Sequence, residues 1–172
     1  ELIVRINGLD SRWAAGDIAA VVPLQPDGLL IPKISRAEDV RRVRAALRAA
    51  GAETSVAIWA MMETPLAILN AGAIGAMGTD QGAPLAALVV GTNDLAQYTM
   101  AADRMSAELA ALTDPWQPGV LALVAVAAAA GRAAGKPVGV CGEAAADPLL
   151  ACVLAGMGVT SLSAASAAVP AV

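Results

Sequence analysis

Short apolar runs alternate along this chain with longer stretches whose apolar positions recur every three or four residues, the pattern of strands followed by helices. Leu2 to Ile6 reads as a first strand ending at Arg5-Ile6-Asn7-Gly8, and a helical stretch around Trp13 to Val22 follows. Gly28 to Ile31 is a second strand, ending at Pro32-Lys33. Ser35 then opens a helix with Glu38 three residues on, the spacing of a capping box. Val40, Val43 and Leu47 form the buried stripe of that helix, and Arg41, Arg42, Arg44 and Arg48 fall mostly off it, as on a solvated face. The third strand, Ser55 to Ala60, runs into Met61-Met62-Glu63-Thr64-Pro65. Thr64 suits an N-cap and Pro65 the first helical position, which leaves Glu63 at the strand's mouth.

A glycine-rich connection leads to a fourth strand, Leu85 to Val90, and then to Gly91-Thr92-Asn93-Asp94. Asp94 therefore stands at a strand's carboxyl end, although capping of the next helix would place an aspartate there equally well. Two prolines in Asp114-Pro115-Trp116-Gln117-Pro118 force a turn, and Val120 to Ala134 is an alanine-rich helix closed by Gly135 and Pro137. Pro137 to Val140 is the fifth strand, ending at Cys141-Gly142-Glu143, and Asp147-Pro148 caps the next helix. Val159 to Leu162 is the sixth, with Ser163 and Ser166 at its end. Six such strand-helix units imply right-handed crossovers and a parallel sheet. Periodicity does not separate a doubly wound sheet from an incomplete (β/α)8 barrel, and a whole barrel needs roughly 250 residues, about two units more than are present.

Composition narrows the chemistry. The chain contains no histidine, which excludes Ser-His-Asp and Cys-His nucleophiles, histidine metal ligands and a phosphohistidine carried by this chain. A net charge of −4 argues against a nucleic-acid surface. The longest apolar run, Val120 to Ala130, is too short for a membrane span, and no basic start with an apolar core suggests a signal peptide. Cys141 and Cys152 lack metal-ligand spacing, so a reduced cytoplasmic setting is expected, with Cys152 a small buried side chain. The start at Glu1 without a methionine is compatible with a piece of a longer chain.

Ligands of parallel α/β folds bind outside the carboxyl ends of the strands, and three charged groups sit there. Glu63 and Asp94 end consecutive strands, which run roughly 5 Å apart, so both can reach one ion. Two carboxylates with oxygen ligands filling the other positions suit Mg2+ or Mn2+, acting as a Lewis acid on an enolate or carboxylate. Arg5 offers a planar fork for a carboxylate or phosphate. Cys141, between Val140 and Gly142, can deliver a proton to a carbanionic carbon.

Two families share these residues. From Gly91 to Val172 the chain resembles the carboxyl-terminal phosphoenolpyruvate-binding barrel of enzyme I of the bacterial sugar phosphotransferase system, through Gly91-Thr92-Asn93-Asp94-Leu95, Gln97-Tyr98-Thr99, Asp103-Arg104, Asp114-Pro115, Ala134-Gly135-Lys136 and Gly139-Val140-Cys141-Gly142-Glu143. From Leu2 to about Leu95 it is similar to the citrate lyase β-subunit and HpcH/HpaI aldolase group, through Val4-Arg5-Ile6-Asn7-Gly8, Leu30-Ile31-Pro32-Lys33 and Met62-Glu63-Thr64-Pro65. Both resemblances imply an Mg2+-dependent barrel of the phosphoenolpyruvate/pyruvate superfamily, with Glu63 and Asp94 on the metal and Arg5 on the substrate. The enzyme I resemblance adds Asn93 and Arg104 on the phosphate, Cys141 as proton donor to the methylene carbon, and Glu143 in support. Departures from enzyme I are Ala144, Ala146, Ala164 and Ala165, and the aldolase-like Met-Glu-Thr-Pro.

The expectation is thus an α/β fold, an incomplete TIM (β/α)8 barrel of about six parallel units, forming a single domain over residues 1–172 that lacks the first two strands. The favoured activity is phosphoenolpyruvate-dependent phosphoryl transfer to a histidine on another domain or protein. The alternative is a carbon-carbon lyase acting on an acyl-CoA or 2-oxo acid, and a third reading is an inactive or partner-completed fragment. An oligomer or a longer parent chain is expected, because a barrel short of two strands exposes two sheet edges.

Overall fold

A computed structural model describes residues 1–52, 55–78 and 82–172. Its strands are β1 (Ile3–Arg5), β2 (Gly28–Ile31), β3 (Ala57–Met62), β4 (Leu85–Gly91), β5 (Val138–Cys141) and β6 (Ser161–Ser163). The helices are α1 (Ala14–Val21), α2 (Ala37–Ala49), α3 (Pro65–Leu69), α4 (Ala71–Gly75), α5 (Thr92–Met100), α6 (Pro118–Ala133) and α7 (Pro148–Met157). Each strand pairs in parallel with the next in chain order, from β1 to β6. A doubly wound sheet reverses its strand order at a switch point, so the unbroken order identifies an incomplete (β/α) barrel. The glycine-rich connection before Leu85 falls partly on residues 79–81, outside the described residues.

The two faces of each strand go to different places, as the period of two requires. In β3, Ile58, Ala60 and Met62 are fully covered by the surrounding helices, while Trp59 and Met61 line the inside of the barrel. In β4, Leu88 and Val90 face the helices and Val89 the interior. Small residues let the layers approach: at Gly131 of α6 a Cβ would collide with Val138 of β5, and at Gly75 of α4 it would lie 3.0 Å from the Ala134 Cβ. The alanine content of the chain is thus tight helix-on-sheet packing, and no helix of the described residues is long and apolar enough to cross a membrane.

Several local expectations are corrected. Strands β3 and β5 run further than the apolar runs suggest, so Met62 and Cys141 belong to the sheet; pairing with β4 (Met62 with Val90, Cys141 with Gly91) carries them on. The sixth strand begins at Ser161 rather than Val159. At the start of α2 the cap comes from Asp39, which accepts from the Ser35 and Arg36 N–H groups at 2.9 Å each, while Glu38 pairs with Arg41. Ser35 instead places its hydroxyl 3.0 Å from the Thr64 hydroxyl. Thr64 caps α3 as expected, accepting from the Ala67 N–H at 3.1 Å, and Asp147 caps α7. Cys152 is exposed, because the buried side of α7 is set by Leu150, Ala151 and Leu154.

Arg44 is the largest correction. It is 3% exposed, on the same stripe as Val40, Val43 and Leu47, and its guanidinium donates to the Ala83 carbonyl at 3.0 Å and to the Gly78 carbonyl. A buried guanidinium is tolerated where its donors are satisfied, and here it holds the segment leading into β4 against α2. Arg44→Leu keeps the apolar stem and abandons both carbonyls. It is expected to destabilise the chain by about 2 to 4 kcal/mol in urea unfolding, whereas Arg41→Leu, on the exposed face, changes stability by less than about 0.5 kcal/mol.

A candidate anion and divalent-cation site at the strand ends

A cavity of about 860 Å3 opens at the carboxyl ends of the strands and continues into the barrel interior. Its mouth carries Arg5 from β1, Lys33 after β2, Glu63 after β3, Asn93, Asp94 and Arg104 from β4 and the segment following it, and Cys141 from β5. Six of the seven residues proposed from sequence therefore meet in one cavity. Glu143 does not: it is exposed and lines a small neighbouring hollow with Asn93 and Arg104, and its main-chain N–H, rather than its carboxylate, reaches the site.

Glu63 is held between two neighbouring strands. It is 7% exposed, and its Oε1 accepts from the Lys33 N–H at 3.0 Å. Its Oε2 faces Gly91, the end of β4, where a Cβ would come within 2.8 Å of it; only glycine leaves the carboxylate this room. Burial pushes the Glu63 carboxyl above the ordinary carboxylate range, and the charge of Asp94 pushes it further; the Lys33 N–H, the Lys33 ammonium and Arg5 offset part of this. Asp94 lies in the first turn of α5, whose N-cap is Gly91 without a side-chain cap, so its carboxylate is not spent on capping. It sits instead between two cations, 3.4 Å from Lys33 Nζ and 3.6 Å from Arg104 Nη1.

The sequence assigns Lys33 no role, yet it touches both carboxylates, through its N–H and its ammonium. Its backbone has φ +58°, the left-handed region, which costs a side-chain-bearing residue about 1 kcal/mol or more. Burial works against its charge, yet Asp94 beside it holds the ammonium above its ordinary range. The only sequence signal was its place directly after a strand.

Around Cys141 a second set of contacts forms. Thr92, 2% exposed, donates its hydroxyl to the Cys141 carbonyl at 2.8 Å. Asn93 Oδ1 accepts from the Glu143 N–H at 3.0 Å, which fixes the amide orientation and leaves its NH2 group as a donor. Gly142, at φ +95°, passes where a Cβ would lie 2.7 Å from both Asn93 Oδ1 and Thr92 Oγ1. Burial, then the charge of Glu63, pushes the Cys141 thiol up to about 11, with Arg5 opposing and Asp94 adding to the rise. The thiol is therefore protonated at neutral pH.

Chemically, the mouth offers three cations and two carboxylates around a neutral thiol, a setting for a small polyanion. Among the described residues no group of three or more Asp, Glu, Cys or His side chains is placed to hold a metal ion. A pair of hard oxygen donors is the set that suits Mg2+, which keeps several waters or substrate oxygens in its shell.

The raised Glu63 carboxyl has a stability consequence. The folded state binds the Glu63 proton more tightly than the unfolded state, so stability falls as pH rises from the ordinary carboxylate range through the raised value. Glu63→Gln keeps an acceptor for the Lys33 N–H and removes the charge. In the presence of a chelator it is expected to raise the thermal midpoint at pH 7 to 8, the advantage closing below about pH 4, where the wild-type carboxyl is protonated in both states.

Comparison with known proteins places this geometry. Residues 18–172 match the family described as PEP-utilising enzyme, PEP-binding domain. The phosphoenolpyruvate-protein phosphotransferase of Streptomyces coelicolor is 47% identical over 142 residues, 83% of this chain and 24% of that protein. The (3S)-malyl-CoA thioesterase of Cereibacter sphaeroides is 44% identical over 95 residues, 55% of this chain and 30% of that protein. The chain thus spans about a quarter of the length of the curated relatives it matches. Among solved structures, a citrate lyase from Burkholderia xenovorans superposes with a TM-score of 0.74 at 21% identity, covering 98% of this chain and 55% of the other. The protein CitE of Mycobacterium tuberculosis, in complex with magnesium and acetoacetate, gives 0.73 at 18% identity, covering 98% and 65%. At such identities these neighbours speak for the fold, whereas the family match runs through nearly the whole sequence and every strand but the first: the chain belongs to the family of phosphoenolpyruvate-binding domains of PEP-utilising enzymes.

Proposed function

We propose that the chain is the substrate-binding catalytic part of a phosphoenolpyruvate-protein phosphotransferase, six units of a barrel whose first two strands belong to a longer chain. The observation that carries this reading is Cys141, a half-buried thiol at the rim of the cavity that also holds Arg5, Glu63, Asp94 and Arg104. Phosphoenolpyruvate carries a carboxylate and a phosphate on adjoining atoms, and Arg5 and Arg104 supply forks for them, with the Asn93 NH2 as a further donor. Glu63 and Asp94 would hold Mg2+ or Mn2+, which when bound neutralises charge on the substrate oxygens.

The reaction then balances as follows. The phosphorus-oxygen bond breaks, its electron pair stays on the enol oxygen, and the phosphoryl group passes to an imidazole nitrogen from outside this histidine-free chain. As the enolate carbonyl forms, the methylene carbon takes the Cys141 proton and pyruvate results. The thiolate recovers a proton from water. A compartment without membrane association, the cytoplasm, suits such a carrier reaction.

A second reading is favoured by the malyl-CoA thioesterase match and by Met62-Glu63-Thr64-Pro65: cleavage of a carbon-carbon bond in an acyl-CoA or 2-oxo acid, with the same carboxylates and Arg5 around the released enolate. Cys141 has no part in it. With a histidine-bearing phosphoryl acceptor supplied, Cys141→Ala is therefore expected to lower pyruvate formation from phosphoenolpyruvate by at least about a hundredfold, while Mg2+ binding, followed by calorimetry, is unchanged. Undiminished turnover would transfer the assignment to the lyase. Calorimetry of the wild-type chain with Mg2+ adds an independent test: oxalate binding, expected under both readings, shows an enolate-mimic site, and a preference for acetyl-CoA is expected only under the second.

A further inference from the structure

The turn after β2 is sewn to the end of β3 and to both ends of α3 at four points. The Lys33 N–H donates to Glu63 Oε1 at 3.0 Å and the next N–H, of Ile34, to the Met61 carbonyl at 3.1 Å. Ser35 Oγ lies 3.0 Å from Thr64 Oγ1, and Asn70 Nδ2 donates to the Ser35 carbonyl at 2.9 Å. Within this seam Lys33 keeps φ +58°. A strained backbone persists where its surroundings over-determine it, and such strain gathers where a group must be held still. A turn that required only this conformation would be served by glycine or asparagine without strain. Lysine adds an ammonium 3.4 Å from Asp94 Oδ2, so the same residue is anchored to the other carboxylate as well.

We propose that Lys33 is a positioning residue of the carboxylate pair, acting through its left-handed main chain, whose N–H fixes one oxygen of Glu63 and so leaves the other oriented toward a divalent cation. The inference rests on the reading that Glu63 and Asp94 hold that cation. Supporting groups of this kind commonly change metal affinity by ten- to a hundredfold when removed.

The test is Mn2+ titration of the chain by calorimetry, without substrate, on Lys33→Val and Lys33→Gly. Both lose the ammonium, so the difference between them isolates the backbone. Valine, branched at Cβ, resists the left-handed conformation and is expected to weaken Mn2+ binding about tenfold or more relative to glycine, which keeps the turn and its N–H. Equal affinity in the two variants would overturn the proposal. If Lys33→Val fails to fold, Lys33→Ala takes its place with the same direction expected. If the wild-type chain binds no Mn2+, the cation reading falls, and the crystal structure of the valine or alanine variant decides the positioning role: a displaced Glu63 carboxylate upholds it and an unmoved one refutes it.

Discussion

Everything at the rim follows from burying the Glu63 carboxylate close enough to Asp94 to feel its charge. Desolvation and a like charge both oppose ionisation, and the surroundings answer with a main-chain N–H from Lys33, two nearby cations and a glycine that gives the carboxylate space. None of these removes the penalty, since the carboxyl still sits above its ordinary range. A sequence selected for stability alone would not keep this arrangement, so the pair marks a place where stability is given up for another property.

The barrel makes such a place by repetition. Each strand delivers its carboxyl end to the same rim, and unbroken parallel pairing puts Glu63 beside Gly91 and Gly91 beside Cys141 with no long-range search. The helices behind must lie close for the strands to curl, which the small residues of α4 and α6 permit. Composition and chemistry are therefore linked: the small alanines and glycines that let helices lie close to the sheet are what bring separate loops over one cavity.

The elements and most of the rim were legible because they depend on local rules. Apolar periodicity located all six strands, and the Thr64-Pro65 and Asp147-Pro148 caps could be read from two residues each. What was not legible depends on neighbours far along the chain. Arg44 looks like one of four similar arginines until the carbonyls of Gly78 and Ala83 are seen to need it. Cys152 looks buried by its apolar context, but helix phase turns it outward. Lys33 carries no mark of its conformation, because a left-handed lysine follows from the seam with Met61, Glu63 and Thr64 rather than from its own preferences.

The thiol and the carboxylate pair also constrain one another. Burial raises the Cys141 thiol most, and Glu63 and Asp94 add to it, so the charges proposed to hold a cation reinforce the hold of a sulfur that is protonated at neutral pH in any case. A cation held by the two carboxylates would offset part of that field. Under the phosphotransferase reading the sulfur holds its proton until an enolate, a stronger base than an ordinary thiolate, develops at the substrate carbon. Under the lyase reading the coupling has no purpose, and a serine or alanine at the end of β5 would serve as well. The half-buried sulfur beside two carboxylates is thus the feature that the phosphotransferase reading uses and the lyase reading leaves without a part.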